Sequence, residues 1–445
     1  MKKLISVCLW LSILLSVLSN IAPRVNVVLS GSDFVTEITG VPFRAQAVDV
    51  DSEGRIFVVT LENAIWRSVD GALTWTKVYD NGYTLQKASL FTMMVASTDY
   101  VFAEVALGNT SKVIIRSIDH GNAWSIVLNM GTQVQSWHMD ESLINNYLYI
   151  QTYQTGAKNT AIIYRSEDFG ASFQVWYDIS EPSPAIAHGH AVAVAPNGSI
   201  YFSRGDGQYG TLRRYNGSAW EELGKYSDFG DARTQPTAIW FDDTYVYLGP
   251  DGYDYVLSFP YAAPHTEAFS RANIVFSPAA FTQNTSRGNN IFEARRIGEI
   301  FLVGTYQGQL WGTWDNRAWV KLYETSGNTI GEIMSISRRS PIYFVDRGVD
   351  TAIVGKLFKV NVQKEDLIRL ANASSDIQVI AAGVCLCVII LVIMFAIILH
   401  QSRKSRRKSR QQTDKPEYYL IDSKQWDERF ARLGLIPQCR ILLLV

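Results

Sequence analysis

Cysteine is almost missing from this 445-residue chain: it stands at Cys8, Cys385, Cys387 and Cys439, and nowhere between residues 9 and 384. The long middle region therefore has no disulfide, no thiolate metal site and no cysteine nucleophile. Charge excess is missing too. The net charge is −1, which excludes a nucleic-acid binder defined by bulk basicity. Long apolar runs occur only near the two ends, which excludes a polytopic membrane protein. At 47% hydrophobic and 12% aromatic the chain is not disordered, and its abundant rings suit pleated, half-buried surfaces.

The two ends set a topology. Met1-Lys2-Lys3 precedes an apolar run from Leu4 to Leu18, the pattern of a secretory signal, with cleavage expected after Ser19. Ile377–Leu399 is a second apolar run with one polar residue, Gln378, long enough for a transmembrane helix of roughly 34 Å. Arg403, Lys404, Arg406, Arg407, Lys408 and Arg410 follow it and are expected to stay cytoplasmic. The near-neutral total is thus a sum of opposites: residues 4–400 carry 28 basic and 37 acidic residues, residues 401–445 carry 11 and 5. The expected order is a signal peptide over 1–19, an outer domain over 24–362, a short polar stalk over 363–376, a span over 377–399 and a tail over 400–445. This makes a single-pass type I protein of the cell membrane or endomembranes. The tail is a candidate to touch anionic lipid, and Tyr418-Tyr419-Leu420-Ile421 fits a sorting pattern.

Five Asn-x-Ser/Thr sequons, at Asn109, Asn197, Asn216, Asn284 and Asn372, all fall on the expected outer side and are candidate glycosylation sites.

A repeat runs through the outer region. Ser68-Val-Asp70-Gly-Ala72-Leu-Thr-Trp75, Ser117-Ile-Asp119-His-Gly121-Asn-Ala-Trp124 and Ser166-Glu-Asp168-Phe-Gly170-Ala-Ser-Phe173 start 49 residues apart, each preceded by an arginine. A period near 50 residues marks a propeller or a similar array. The pattern resembles the Asp-box of bacterial neuraminidase (BNR) repeats. That element occurs in sialidases, other glycoside hydrolases, Vps10/sortilin receptors and photosystem assembly factors, all of them β-propellers. Degenerate versions follow at Tyr215–Trp220 and Trp314–Trp319. The resemblance implies that each box joins the third and fourth strands of a blade, away from the central site. The residue chemistry agrees with a structural role: Asp accepts backbone hydrogen bonds in a tight turn, Gly takes the left-handed conformation, and the last aromatic packs between sheets.

Alternating apolar segments define seven units. Inner strands are expected to begin at Ala45, Phe91, Ser136, His188, Thr237, Ile291 and Glu332. The last unit lacks a fourth strand, and Val25–Ser30 is a candidate to supply it and close the ring. The expected fold is all-β: a seven-bladed Asp-box propeller, with six or eight blades as alternatives, plus one transmembrane helix.

Propellers hold ligands in the central funnel, so polar residues on inner strands are the candidates. They are Arg44, His138, His188, His190, Glu293 and Arg295. Three of the six histidines in the chain are among them, which suits proton transfer, metal ligation or a hydrogen-bonded lining. No metal or cofactor is assigned. The resemblance to sialidases implies an arginine triad, a Tyr–Glu pair and an Asp. Arg44 resembles the first arginine, and the rest have no assigned positions. Other glycosidase chemistry needs two carboxylates, for which Glu293, Glu332 and Asp206 are present without a spacing rule to select them. The leading expectation is a propeller that binds an extracellular glycan or protein ligand. A sialidase-like or other glycoside hydrolase is the alternative, so enzymatic activity stays open.

Overall fold

The computed structural model describes residues 34–83, 92–108, 111–132, 134–154, 160–180, 188–205, 207–230, 232–252, 255–261, 269, 274–276, 290–325, 331–348, 355–372 and 394. The expected signal, span (Met394 apart) and tail lie outside them. Among the described residues no helix is long and apolar enough to cross a membrane.

The described chain forms seven four-stranded antiparallel sheets, the blades of a propeller. Blade 7 takes β1 (Val35–Glu37), which precedes blade 1 in the chain. Blade 1 is β2 (Ala45–Val50), β3 (Ile56–Thr60), β4 (Ala64–Ser68) and β5 (Thr76–Asp80). Blade 2 is β6 (Met93–Val95), β7 (Val101–Ala106), β8 (Ser111–Ser117) and β9 (Ser125–Thr132). Blade 3 is β10 (Val134–Glu141), β11 (Leu148–Gln154), β12 (Ile162–Ser166) and β13 (Gln174–Asp178). Blade 4 is β14 (His188–Val194), β15 (Ile200–Gly205), β16 (Thr211–Tyr215) and β17 (Trp220–Lys225). Blade 5 is β18 (Pro236–Phe241), β19 (Tyr245–Pro250), β20 (Val256–Pro260) and β21 (Ile274–Phe276). Blade 6 is β22 (Ile291–Ile297), β23 (Ile300–Thr305), β24 (Gln309–Thr313) and β25 (Val320–Glu324). Blade 7 is completed by β26 (Ile333–Ile336), β27 (Ile342–Asp346) and β28 (Lys356–Val360).

Ring closure follows the expected principle with different residues. Val35, Thr36 and Glu37 pair with Val360, Lys359 and Phe358. The candidate Val25–Ser30 lies outside the described residues. A strand too short to stand alone is sufficient here, because its partner's edge is already ordered.

Each inner pair of strands is buried on both faces, since a blade is sandwiched between two others. Ile56-Phe57-Val58-Val59-Thr60 is buried throughout and has no polar face. The outermost strands β5 and β13 are exposed or half-buried throughout, whereas β25 is mostly buried. The core is a series of inter-blade clusters. Phe57, Val59 and Ile65 of blade 1 meet Met93, Val95 and Val101 of blade 2, and Tyr343 and Val345 of blade 7 meet Ala45 and Val48 of blade 1. Each fully buried side chain of this size contributes roughly 1.5–3 kcal/mol of transfer free energy.

The repeated octapeptides are turns between third and fourth strands. In the first, Asp70 Oδ1 accepts the amides of Leu73 (3.1 Å) and Thr74 (2.9 Å), and Ser68 Oγ accepts the amide of Ala72 (2.9 Å). Asp119 and Asp168 repeat this on Ala123 (2.8 Å) and Ser172 (2.9 Å). The Thr74 hydroxyl and backbone, with Ser68, hold the Asp70 carboxyl down to about 2. The closing aromatic reaches the preceding blade: Trp124 Nε1 donates to the Val78 carbonyl at 3.1 Å, and Phe173 packs edge-on to Phe102. The preceding arginine reaches the next blade, Arg67 Nη1 donating to the His120 carbonyl at 2.6 Å and Arg116 to that of Phe169 at 3.1 Å. Thr313–Trp319 makes the same kind of turn around Asp315.

Residues 364–372, expected as a polar stalk, are instead helical. Leu367 is fully buried in the cluster between blades 6 and 7, and Leu370 and Ala371 pack against it. These three positions form a short i, i+3, i+4 stripe.

Candidate functional site

All seven inner strands run the same way through the ring, so the channel has a leading end, where they begin, and a trailing end. At the trailing end the channel opens into a funnel of about 620 Å³. Its wall includes Val194, Pro196, Ile239 and Phe241, with Leu143 and Ile144 at the lip. Its charged groups are Asp140, Glu141, Arg295, Arg296, Arg338 and Arg339, four guanidinium groups against two carboxylates.

The floor is built by residues from distant blades. Arg338 follows β26 in blade 7, yet its Nη1 lies 2.9 Å from Asp140 Oδ1 of blade 3, and its Nη2 donates to the Met139 carbonyl. Asp140 Oδ2 also accepts the Val194 amide of blade 4 at 2.7 Å. Asp49 of blade 1 accepts the Arg338 amide (2.8 Å) and the Val95 amide of blade 2 (2.7 Å). Burial pushes the Asp49 carboxyl up, opposed by Arg338. Burial also works against the Arg338 charge, but Asp140 and Asp49 outweigh it and raise its pKa. The lip is laced in the same way: Arg339 meets Asp99 at 2.8 Å and Ser97 Oγ meets Glu141 at 2.7 Å.

Beside this floor, Arg295 Nη1 sits 3.1 Å from Glu293 Oε1. Burial raises the Glu293 carboxyl to about 7, with Arg295 opposing. Nearer the leading end the channel is aromatic. Trp137 of blade 3 meets Phe292 of blade 6 edge-on, with ring centres 5.3 Å apart. His138 Nδ1 lies 2.9 Å from the His190 carbonyl, and burial, followed by Arg295, lowers the imidazole to about 4, so it is neutral. His188 and His190 have ring centres 5.0 Å apart, and His188 packs on Tyr153. The His190 ring lies over Gly205, where a Cβ would fall 2.2 Å from Cε1, so that position requires glycine. These rings and the Arg338–Asp140 pair reach across the channel, and the pair gives the funnel a floor.

The sequence candidates thus divide. Arg295 lines the funnel and pairs with Glu293, which does not line it, and His138, His188 and His190 gather in the channel behind it. Among the described residues no three His, Cys, Asp or Glu side chains are grouped to hold a metal ion. Arg44 stands before β2, pairs with Glu62 at 2.6 Å and does not line the funnel. Glu332 precedes β26 and pairs with Arg347. Asp206, Asn109 and Asn284 lie outside the described residues. Asn197 and Asn216 are in trailing-side turns of blade 4, and Asn372 ends the helical stretch 364–372. Sequence reasoning missed Arg338, Asp140 and Asp49. The Arg338-Arg339-Ser340-Pro341 run carried the signal, a pair of arginines where an inner strand turns back.

These features define a seven-bladed β-propeller with a central funnel. No protein-family model and no curated protein matches the chain. Among solved structures it is similar to virginiamycin B lyase from Staphylococcus aureus (TM-score 0.51, 14% identity, covering 74% of this chain and 98% of that one). It is also similar to YCF48 bound to D1 peptide (0.50, 14%, 76% and 98%) and to the RRP9 WD40 repeats (0.50, 10%, 74% and 98%). At these identities the likeness is one of fold.

Proposed function

We propose that the chain is a single-pass type I membrane protein whose propeller binds a glycan or protein ligand in the trailing-end funnel. The observation that carries the binding reading is the funnel itself: about 620 Å³, apolar on one wall and lined by four arginines. Rigid concave sites with a few fixed polar groups are where ligands bind, and a floor tied to several blades lowers the ordering cost. The likeness to a propeller that holds a peptide agrees with this role. The membrane reading is supported by the N-terminal apolar run, the run over 377–399 and the six basic residues that follow it. Hydrolysis gains no comparable support, since Arg44 is engaged by Glu62 away from the funnel arginines.

Detergent-solubilised full-length protein, applied to glycan and peptide arrays beside a fluorogenic sialoside assay, tests this. Selective capture that Arg295→Ala abolishes, without turnover, is the expected result. Sialoside turnover lost in Arg44→Ala would overturn it.

A further inference from the structure

Several of the large apolar side chains left in solvent gather on one side of the ring. Val69, Leu73, Ile118 and Phe169 stand in the turns between third and fourth strands of blades 1–3, and Leu143 and Ile144 in the turn after β10. In an up-and-down blade these two kinds of turn share a face, here the trailing face on which the funnel opens. Leu73 is 82% exposed and Leu143 76%. Apolar tips grouped in this way mark an interaction surface. Val69, Leu73, Ile118 and Phe169 project from separate turns and do not line the funnel, and Leu143 and Ile144 stand at its lip, an arrangement that suits a flat apolar medium.

The path of the chain selects the occupant. The helical stretch 364–372 leaves the ring on the same face: Lys364 pairs with Glu299, in the turn after β22, at 2.7 Å, and Leu367 is buried between blades 6 and 7. Only residues 373–376 separate that stretch from the apolar run beginning at Ile377. Four residues span at most about 14 Å.

We propose that the trailing face of blades 1–3 docks on a lipid surface, with Leu73, Leu143 and Ile144 entering the interfacial layer. This rests on reading residues 377–399 as a membrane span. Ring order is consistent with a tilt. Blades 6, 7, 1, 2 and 3 form one continuous arc, which holds both the chain exit and the apolar turns. Blade 4, whose trailing turns carry the sequons at Asn197 and Asn216, lies outside that arc. The funnel stays open on the blade 4 side, and its ligand is one presented close to the lipid surface.

Full-length protein in phosphatidylcholine nanodiscs provides the test. With Cys8, Cys385, Cys387 and Cys439 replaced by serine, Leu73→Cys or Leu107→Cys supplies the one thiol for an environment-sensitive dye. Leu107 is exposed in the turn after β7, on the opposite face. The dye at position 73 is expected to be about fivefold less quenched by iodide than that at 107, and to be quenched by spin-labelled lipid. Equal iodide quenching at both positions overturns the proposal. So does protection at 73 without quenching by the lipid label, the sign of a second copy or another protein on that face. Leu143→Cys repeats the measurement if Leu73→Cys fails to fold. Alkaline extraction separates the two readings: release of the protein overturns the span, whereas retention with a wet position 73 overturns the docking alone.

Discussion

Arg338 and Asp140 form an ion pair across the axis of the ring, 2.9 Å from Nη1 to Oδ1, joining blades 7 and 3 without passing through blades 1 and 2. The pair is the floor of the funnel and a cross-tie of the propeller. Arg338→Ala leaves Asp140 and Asp49 facing a partly dry site without their cation. It is expected to cost roughly 3 kcal/mol, read by urea unfolding. Asp140→Asn combined with it should recover part of that loss. A double variant as unstable as the summed singles would show that the two side chains are not coupled.

Glu293 and His138 give stability opposite pH dependences. Glu293 is raised to about 7 in the folded protein, so the folded state holds its proton where the unfolded state has released it. Stability from this group falls as pH rises from about 4.5 through 7. His138 is lowered to about 4, so its contribution falls as pH drops from about 6.5 toward 4. Thermal melts should show the two slopes partly cancelling between pH 5 and 6.5. Glu293→Gln is expected to flatten the loss toward pH 8, and His138→Asn the loss toward pH 5. An unchanged alkaline limb in Glu293→Gln would place the titrating group elsewhere.

The third repeat turn tests how closely the blades are fitted. A Cβ at Gly170 would lie 2.2 Å from Phe102 Cε1, at φ +77°. Gly170→Ala is therefore expected to destabilise by about 2–4 kcal/mol through overpacking and backbone strain. At the equivalent place in blade 1, Ala72 already sits at φ +76°. Ala72→Gly relieves that strain but loses a buried methyl, and a change within about 1 kcal/mol is expected. Equal effects at the two sites, by chemical denaturation, would contradict this account.

Ring closure rests on β1 and its flanks, where the Ile38 amide donates to the Leu357 carbonyl (2.9 Å) and the Asn361 amide donates to the Phe34 carbonyl (2.8 Å). Thr36→Pro removes an amide from β1 and distorts its pairing with β28. The expected result is an exposed β28 edge, faster proteolysis in blade 7 and concentration-dependent association. Proteolysis beginning instead in blades 2–4 would show that closure lies elsewhere.

Much of the ring was legible because blades are local objects. The inner strands expected from Ala45, His188 and Ile291 begin at those residues, and the other four begin within two residues of their expected starts. The octapeptide turns are also local, so their hydrogen bonds follow from the residues present. The closing strand was misplaced because Val35-Thr36-Glu37 has no pattern strong enough to outrank Val25–Ser30. The helical stretch 364–372 was missed because one turn of apolar residues barely interrupts a polar sequence. The funnel floor was illegible for another reason: the register that brings Arg338 to Asp140 is set by the curvature of seven sheets, and neither residue carries a local mark of its partner. Arg44 misled because the end of the inner strand from which it projects lies opposite the funnel.

Glu37 and Lys356 meet at 3.0 Å although 319 positions separate them in the chain. During synthesis at about 5–20 residues per second, the opening strand is made roughly 15–60 s before its partner exists. The first of the described strands to emerge is thus among the last to pair, and six blades can assemble while the seventh is incomplete. A growing chain presents an open arc with unpaired edges throughout that interval. Any helper that shields nascent strands has most to act on there, well before the propeller has a funnel to offer.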